Sequence, residues 1–259
     1  MHNPGVGSTI GFCSSVGSDM VDVCWPPCGD RTTTWVGDPP ESVSAAERAQ
    51  LVLRREVELR SALTRRPVSV VGVDVSYEKG SERAVAAAVA VDVDTHRVRE
   101  SALVVGQARF PYVPGLLAFR EAPLVLQAVA RLTCRPEVLM CDGYGIAHPR
   151  RCGLACHVGV VTGVPTFGVA KSVFTATSAD PGVDRGEWAS LRDGGSVVGR
   201  AVRTRAGVKP VFVSVGHRIS LEEATSLTVE LTGRFRIPEP LRQADMMSRA
   251  ALRHRFDES

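Results

Sequence analysis

Aromatic side chains, lysine and long apolar runs are all scarce in this chain. Aromatics make up 5% of its 259 residues, and only Lys79, Lys171 and Lys209 among its 31 cations are lysines. The other 28 are arginines, whose planar fork suits phosphate recognition. No stretch approaches the roughly 18–20 uninterrupted apolar residues of a membrane-spanning helix, and the start of the chain shows no basic segment followed by an apolar stretch and a cleavage site. A cytoplasmic protein with no membrane partner is therefore expected. The seven cysteines (Cys13, Cys24, Cys28, Cys134, Cys141, Cys152, Cys156) are odd in number and come without an export signal, which argues against a disulfide framework. Cys152, Cys156 and His157 could share a helix face, but the paired C-x-x-C elements of a structural zinc site are missing.

What is present is the balance of a folded protein, 44% hydrophobic and 23% charged, enough to build a sizeable core. Residues 1–43 are rich in Gly, Ser, Thr, Asp and Pro, show no periodicity, and end near the Gly37-Asp38-Pro39-Pro40 breaker. They are read as a disordered extension, with a single domain over residues 44–259. Asp19, Asp22, Asp30, Asp38 and Glu41 against Arg31 give residues 1–45 a charge of −4; the whole chain carries +3, which leaves +7 on the rest.

Ser42–Leu63 has a helical stripe with Ser42 or Ser44 as its cap. Val68–Tyr77, Ala84–Val93 and Val98–Val105 are read as three strands in a meander. A helix at Gly115–Leu132, a strand at Glu137–Cys141, a helix at Gly153–Thr162 and a short strand at Thr166–Val169 follow. Val197–Arg203 and Val211–Val215 give two more strands, and Ser220 caps a helix running to Thr232. This order predicts an α/β fold, a mixed central sheet with helices on both faces.

Three acids stand where acids are costly: Asp74 inside the apolar first strand, Glu121 in the helix opened by Pro114-Gly115, and Asp142 directly after Val138-Leu139-Met140-Cys141. The first and fourth strands would be parallel neighbours. Their C-terminal ends then bring Asp74 and Asp142 side by side, where the like charges repel unless a divalent cation, most naturally magnesium, lies between them. Lys171 ends an apolar strand and is placed to reach outward toward phosphate.

The stretches Gly72-Val73-Asp74-Val75-Ser76-Tyr77, Pro111-Tyr112-Val113-Pro114-Gly115, Phe119-Arg120-Glu121, Asp142-Gly143-Tyr144-Gly145-Ile146-Ala147-His148-Pro149-Arg150-Arg151, Gly168-Val169-Ala170-Lys171 and Gly216-His217-Arg218 together resemble the endonuclease V family over about residues 45–250. Tyr144 departs from the family, whose bacterial members usually carry His between the two glycines. The resemblance implies a ribonuclease H-like fold. It also implies a magnesium-dependent endonuclease, with manganese able to substitute, acting as a monomer on inosine-containing DNA. Such an enzyme recognises deoxyinosine, cuts the second phosphodiester bond on its 3′ side and leaves 5′-phosphate and 3′-hydroxyl ends. An enzyme cutting inosine-containing RNA is the alternative. A non-catalytic nucleic-acid binder would have no need of the three acids, and an actin-like sugar kinase would need a Gly/Thr phosphate loop where Val75-Ser76-Tyr77-Glu78-Lys79 stands.

Carried onto these residues, the resemblance gives Asp74, Glu121 and Asp142 as metal ligands. It sets His217 beside them to orient or deprotonate water and Lys171 near the scissile group. Arg150, Arg151 and Arg218 are read as phosphate clamps, with His148 among the substrate contacts. Gly143 and Gly145 either read the extruded base by their main chain or only make tight turns. Pro111 and Pro114 stiffen a loop whose Tyr112 is either packed beneath the following helix or inserted as a wedge into the base stack.

Overall fold

The structure, a computed structural model, describes residues 39–254; residues 1–38, most of the expected extension, lie outside the described part. Helix α1 (Val43–Arg55) begins where the Ser42 side chain accepts from the Ala45 amide, and it turns Ala46, Ala49 and Leu53 inward. Its expected continuation to Leu63 does not form. The Glu58 amide donates to His217 Nδ1 at 3.2 Å, the Arg218 amide to the Glu58 carbonyl at 2.7 Å, and the Ala62 amide to the Arg218 carbonyl at 3.0 Å. These long-range bonds replace the next helical turns.

One mixed sheet holds β1 (Ser69–Tyr77), β2 (Arg83–Asp92), β3 (Val98–Gln107), β4 (Leu139–Asp142), β5 (Thr166–Ala170), β6 (Thr177–Ser178), β7 (Trp188–Asp193), β8 (Ser196–Val202) and β9 (Val211–His217). Their order is β3-β2-β1-β4-β5-β9-β8-β7-β6. The meander β1–β3 is antiparallel, β4 and β5 continue in parallel from β1, and β9 returns antiparallel beside β5. The β3-β2-β1-β4-β5 half is the expected ribonuclease H-like arrangement. Helices α2 (Leu117–Ala130) and α3 (Leu154–Thr162) cover the face carrying Val71, Val73, Ala86 and Ala88. The other face, with Val70, Ala87, Val89 and Phe167, packs against α4 (Leu221–Glu230) and α5 (Glu239–His254). Covered on both sides, β2 can be almost entirely alanine and valine.

The sequence reading had not anticipated α5, β6 or β7. Helix α5 buries Ala244 and Ser248 as well as Leu241 and Leu252, so small and polar residues dilute its apolar stripe. It fits because position 72 is glycine: a Cβ there would lie 2.2 Å from the Pro240 carbonyl carbon. The Ser248 and Ser76 hydroxyls bond at 2.7 Å across the same contact. Strand β7 is tied to β8 through Gly194-Gly195, both at positive φ (57° and 81°), as a two-residue hairpin requires.

Strand direction decides what shares an edge. β1, β4 and β5 run the same way, so their C-terminal ends lie together. β9 runs the other way, and its last residue, His217, pairs with Thr166 at the start of β5.

Candidate active site

Val73 and Cys141 are register partners on parallel strands, so Asp74 and Asp142 follow side by side at the strand spacing of about 4.8 Å. Lys171 directly follows β5, and its ammonium is ion-paired with the Asp142 carboxylate. Burial opposes the lysine charge, but the Asp142, Asp74 and Asp245 carboxylates outweigh that and raise its pKa. Asp74, Asp142, Lys171 and Asp245 line one cleft of about 620 Å³. Asp245 comes from α5, the helix the sequence did not disclose; its spacing from Ser248 and Leu252 on one helix face is the only signal that could have found it.

Glu121 is 7% exposed and reaches the same end of the sheet from α2, where the Tyr77 hydroxyl donates to it at 2.9 Å. Burial pushes its pKa up to about 8; the Tyr77 hydrogen bond works against this, and the Asp74 and Asp142 charges add to it. Asp74 is held well above the usual carboxylate range, first by burial and then by the Asp142 charge. Among the described residues no three histidine, cysteine or carboxylate side chains close on one point at ligating distance: Lys171 lies on Asp142, and Tyr77 holds Glu121. The donor chemistry nevertheless fits a hard divalent cation. The four groups offer only carboxylate oxygen, and a cation would relieve the repulsion among them, which adds to the effect of burial on Asp74 and Glu121.

His217 is corrected by the sheet topology. It lies at the opposite end of β5 from Lys171, roughly five residues or about 16 Å of strand away. It is 5% exposed there, and its Nδ1 accepts the Glu58 amide. It is a buried anchor for the chain after α1, not a neighbour of the carboxylates.

The three proposed phosphate clamps are likewise committed elsewhere. Arg150 donates to Gln50 Oε1 (2.5 Å), Glu47 Oε1 (3.1 Å) and the Gly115 carbonyl (2.9 Å). Arg151 embraces Asp193 through its side-chain and main-chain oxygens, at 2.6 and 3.0 Å. Arg218 reaches the Gly163 carbonyl at 3.3 Å and pairs with Glu58 at 3.6 Å. His148 is buried beneath the same loop, its Nδ1 accepting the Arg150 amide at 3.2 Å, and burial lowers its pKa to about 4.

The commitment of Arg150 has a purpose. With Gln50 Nε2, which donates 3.1 Å to the same oxygen, it holds the Gly115 carbonyl at the base of the Pro111–Pro114 loop. Arg120 holds the other base, donating 2.6 Å to the Phe110 carbonyl. Between these anchors Tyr112 is 71% exposed, while Phe110 is buried. Tyr112 therefore does not pack beneath α2. It stands out from a loop fixed at both ends.

The two glycines separate. A Cβ on Gly145 would lie 2.0 Å from the Val215 carbonyl oxygen, its amide donates to Ser214 Oγ at 2.8 Å and its carbonyl accepts from Gly153. Its main chain is occupied within the fold, so it is corrected from a base reader to a packing position. Gly143 has φ +149°, its amide donates to the Val169 carbonyl at 3.3 Å, and a Cβ there would touch only the Leu154 Cβ, at 3.9 Å, so no backbone crowds the position as it does at Gly145. Beside it, Tyr144 donates 3.2 Å to the Ser172 carbonyl and meets Phe174 edge-on.

Comparison with known proteins points in one direction. The family model for Endonuclease V matches residues 52–246. An Endonuclease V of Streptomyces avermitilis is 56% identical over 184 residues, 71% of this chain and 80% of the relative. The crystal structure of Endonuclease V from the same organism superposes with a TM-score of 0.80 at 50% identity, covering 84% of this chain and 96% of that one. The Ciona intestinalis Endonuclease V, in complex with a 24-mer DNA containing an inosine followed by a ribo-adenosine, gives a TM-score of 0.72 at 28% identity, with 82% and 98% covered.

Proposed function

The chain belongs to the endonuclease V family, and from that premise we propose that it is a magnesium-dependent endonuclease acting on deoxyinosine in DNA and hydrolysing the second phosphodiester bond on its 3′ side. The observation that carries the reading is the cleft at the ends of β1, β4 and β5, where Asp74, Asp142 and Asp245 face one lysine and Glu121 lies behind. Asp74, Asp142 and Asp245 would hold the cation, with Glu121 turning from Tyr77 to join them. When bound, magnesium supplies Lewis-acid stabilisation of the phosphoryl oxygens and a more acidic water. The Lys171 ammonium, already drawn to Asp142, neutralises charge developing on a non-bridging oxygen. Tyr112 fills the stack left by the extruded base, and Gly143, without a side chain, lets the main chain come close to hypoxanthine.

The Ciona relative accommodates a ribonucleotide directly 3′ of the inosine, which favours a second reading, cleavage of inosine in RNA. Matched inosine-containing DNA and RNA strands, each with magnesium and with EDTA, separate the two. Cleavage of inosine DNA alone supports the first reading, cleavage of RNA at an equal or higher rate supports the second, and cleavage unaffected by EDTA contradicts both.

A further inference from the structure

Beside the cleft lies a group of cations whose charge nothing in the fold neutralises. Arg236, in the connection between α4 and α5, donates from Nη2 to the carbonyls of Lys171 (2.9 Å) and Pro210 (2.7 Å) and from Nε to that of Lys209 (2.9 Å). It thereby pins the segment after β5 and the segment before β9 to one spot. Next along this surface Arg205 donates 2.6 Å to the Arg234 carbonyl. The Arg234 guanidinium lies over the ring of Phe235 at 4.9 Å, with Arg242 over the same ring at 4.6 Å. Phe235 is 40% exposed, a large apolar ring in the open with two guanidiniums against it.

Neighbouring cations are matched with acids: Lys171 with Asp142, Arg203 with Asp180, Arg242 with Glu239. Lys209, Arg205, Arg234 and Arg236 are not; among the described residues none of them is in an ion pair, and the first three are exposed. Carbonyls hold Arg205 and Arg236 in place without cancelling their charge. At the far end Arg205 lines a hollow of about 570 Å³ with His96 and Arg185, and no acid lines it. Next to Arg185 in the chain, the Asp184 amide donates to the Glu187 carboxylate at 2.7 Å.

We propose that this surface, from Lys171 across Lys209 to Arg234 and Arg205, binds the sugar-phosphate backbone of the nucleic acid flanking the cleavage site, with Phe235 against the sugars. The proposal rests on a nucleic-acid substrate. Preorganised positive charge joined to a catalytic cleft and interleaved with an aromatic ring is what a strand leaving that cleft requires. Because phosphates carry no sequence information, the contribution is the same for damaged and undamaged strands.

The test is the Lys209→Gln/Arg234→Gln variant, with Lys209→Gln as a second; neither side chain donates a hydrogen bond within the described fold, so the melting temperature should hold. Affinity is measured for inosine duplex and for undamaged duplex of equal length over a range of salt, and the duplexes are then shortened stepwise from each end. The expected result is a loss of about tenfold in affinity, the same for both duplexes, with the slope of log K against log salt reduced by about 2 for the double variant and about 1 for the single. The difference from wild type should vanish once the duplex no longer reaches the patch. Wild-type affinity and slope in the variants, or a loss confined to inosine duplex, would overturn the proposal while leaving the substrate reading intact. A wild-type protein that binds neither duplex would overturn both.

Discussion

At the ends of β1, β4 and β5, several acids gather with one ammonium among them, and burial, with the neighbouring carboxylate charges adding to it, holds the pKa values of Asp74 and Glu121 up. Around the 148–151 loop the opposite holds: Arg150 and Arg151 are engaged on nearly every side by Glu47, Gln50, Gly115 and Asp193. Both regions are dense in charge and both read as functional in sequence. The difference teaches that satisfied charge builds the frame and unsatisfied charge marks where a ligand belongs.

The comparison predicts a large effect first in the cleft. Asp74→Ala or Asp142→Ala removes several kcal/mol of transition-state stabilisation and should cut cleavage of inosine duplex by about a thousandfold or more. The melting temperature without divalent cation should stay level or rise, since a repelling charge has gone. A collapse of the fold in circular dichroism would place these acids among the framing charges instead.

Tyr112→Ala comes next. Losing a wedge that offsets a few kcal/mol of unstacking should weaken binding to inosine duplex by about tenfold to a hundredfold, and binding to undamaged duplex far less. Stability should be untouched, because the ring is 71% exposed. Equal losses on both duplexes would remove the wedge.

Arg150→Ala should show the reverse signature. It leaves Glu47, Gln50 and the Gly115 carbonyl short of a donor, at a cost of about 2–3 kcal/mol and several degrees in a thermal melt. Arg150→Lys should not restore the loss, because one ammonium cannot serve three separated acceptors. A stable Arg150→Ala protein with a reduced salt slope for DNA would return Arg150 to the phosphate-clamp role.

The smallest effect concerns His157, 1% exposed, with neither ring nitrogen hydrogen-bonded among the described residues and its pKa lowered by burial to about 4. An unfolded histidine protonates near 6.5, so between pH 6.5 and 4 the unfolded chain binds more protons. Stability is whole above that window and falls as the pH is lowered through it, by up to about 3 kcal/mol. His157→Leu should flatten that part of the melting profile, leaving the share due to His148; an unchanged profile would show that His157 finds a partner.

The sequence disclosed what depends on local pattern and strand order. The β-branched runs gave β1 to β5, and parallel succession of β1 and β4 was enough to set Asp74 beside Asp142. Strand direction at a distance was less legible: nothing in Gly216-His217-Arg218 tells that β9 runs against β5, and that reversal carries His217 to the far edge. An arginine's partners are equally hidden, since Glu47 and Asp193 lie far from Arg150 and Arg151 in the chain. Asp245 escaped notice because α5 packs on a glycine and a serine where a stronger apolar stripe would have betrayed it.

The central claim, that the unbalanced carboxylates of the cleft await a divalent cation, is tested most directly by thermal melts of the wild-type protein and Asp142→Ala across a magnesium series, repeated with manganese. Binding to the folded state alone predicts a melting temperature that climbs with cation concentration in the wild type, by about 2.7 kcal/mol of added stability at a hundred times Kd, and stays flat in Asp142→Ala. Equal stabilisation of both proteins, or none in either, would contradict it.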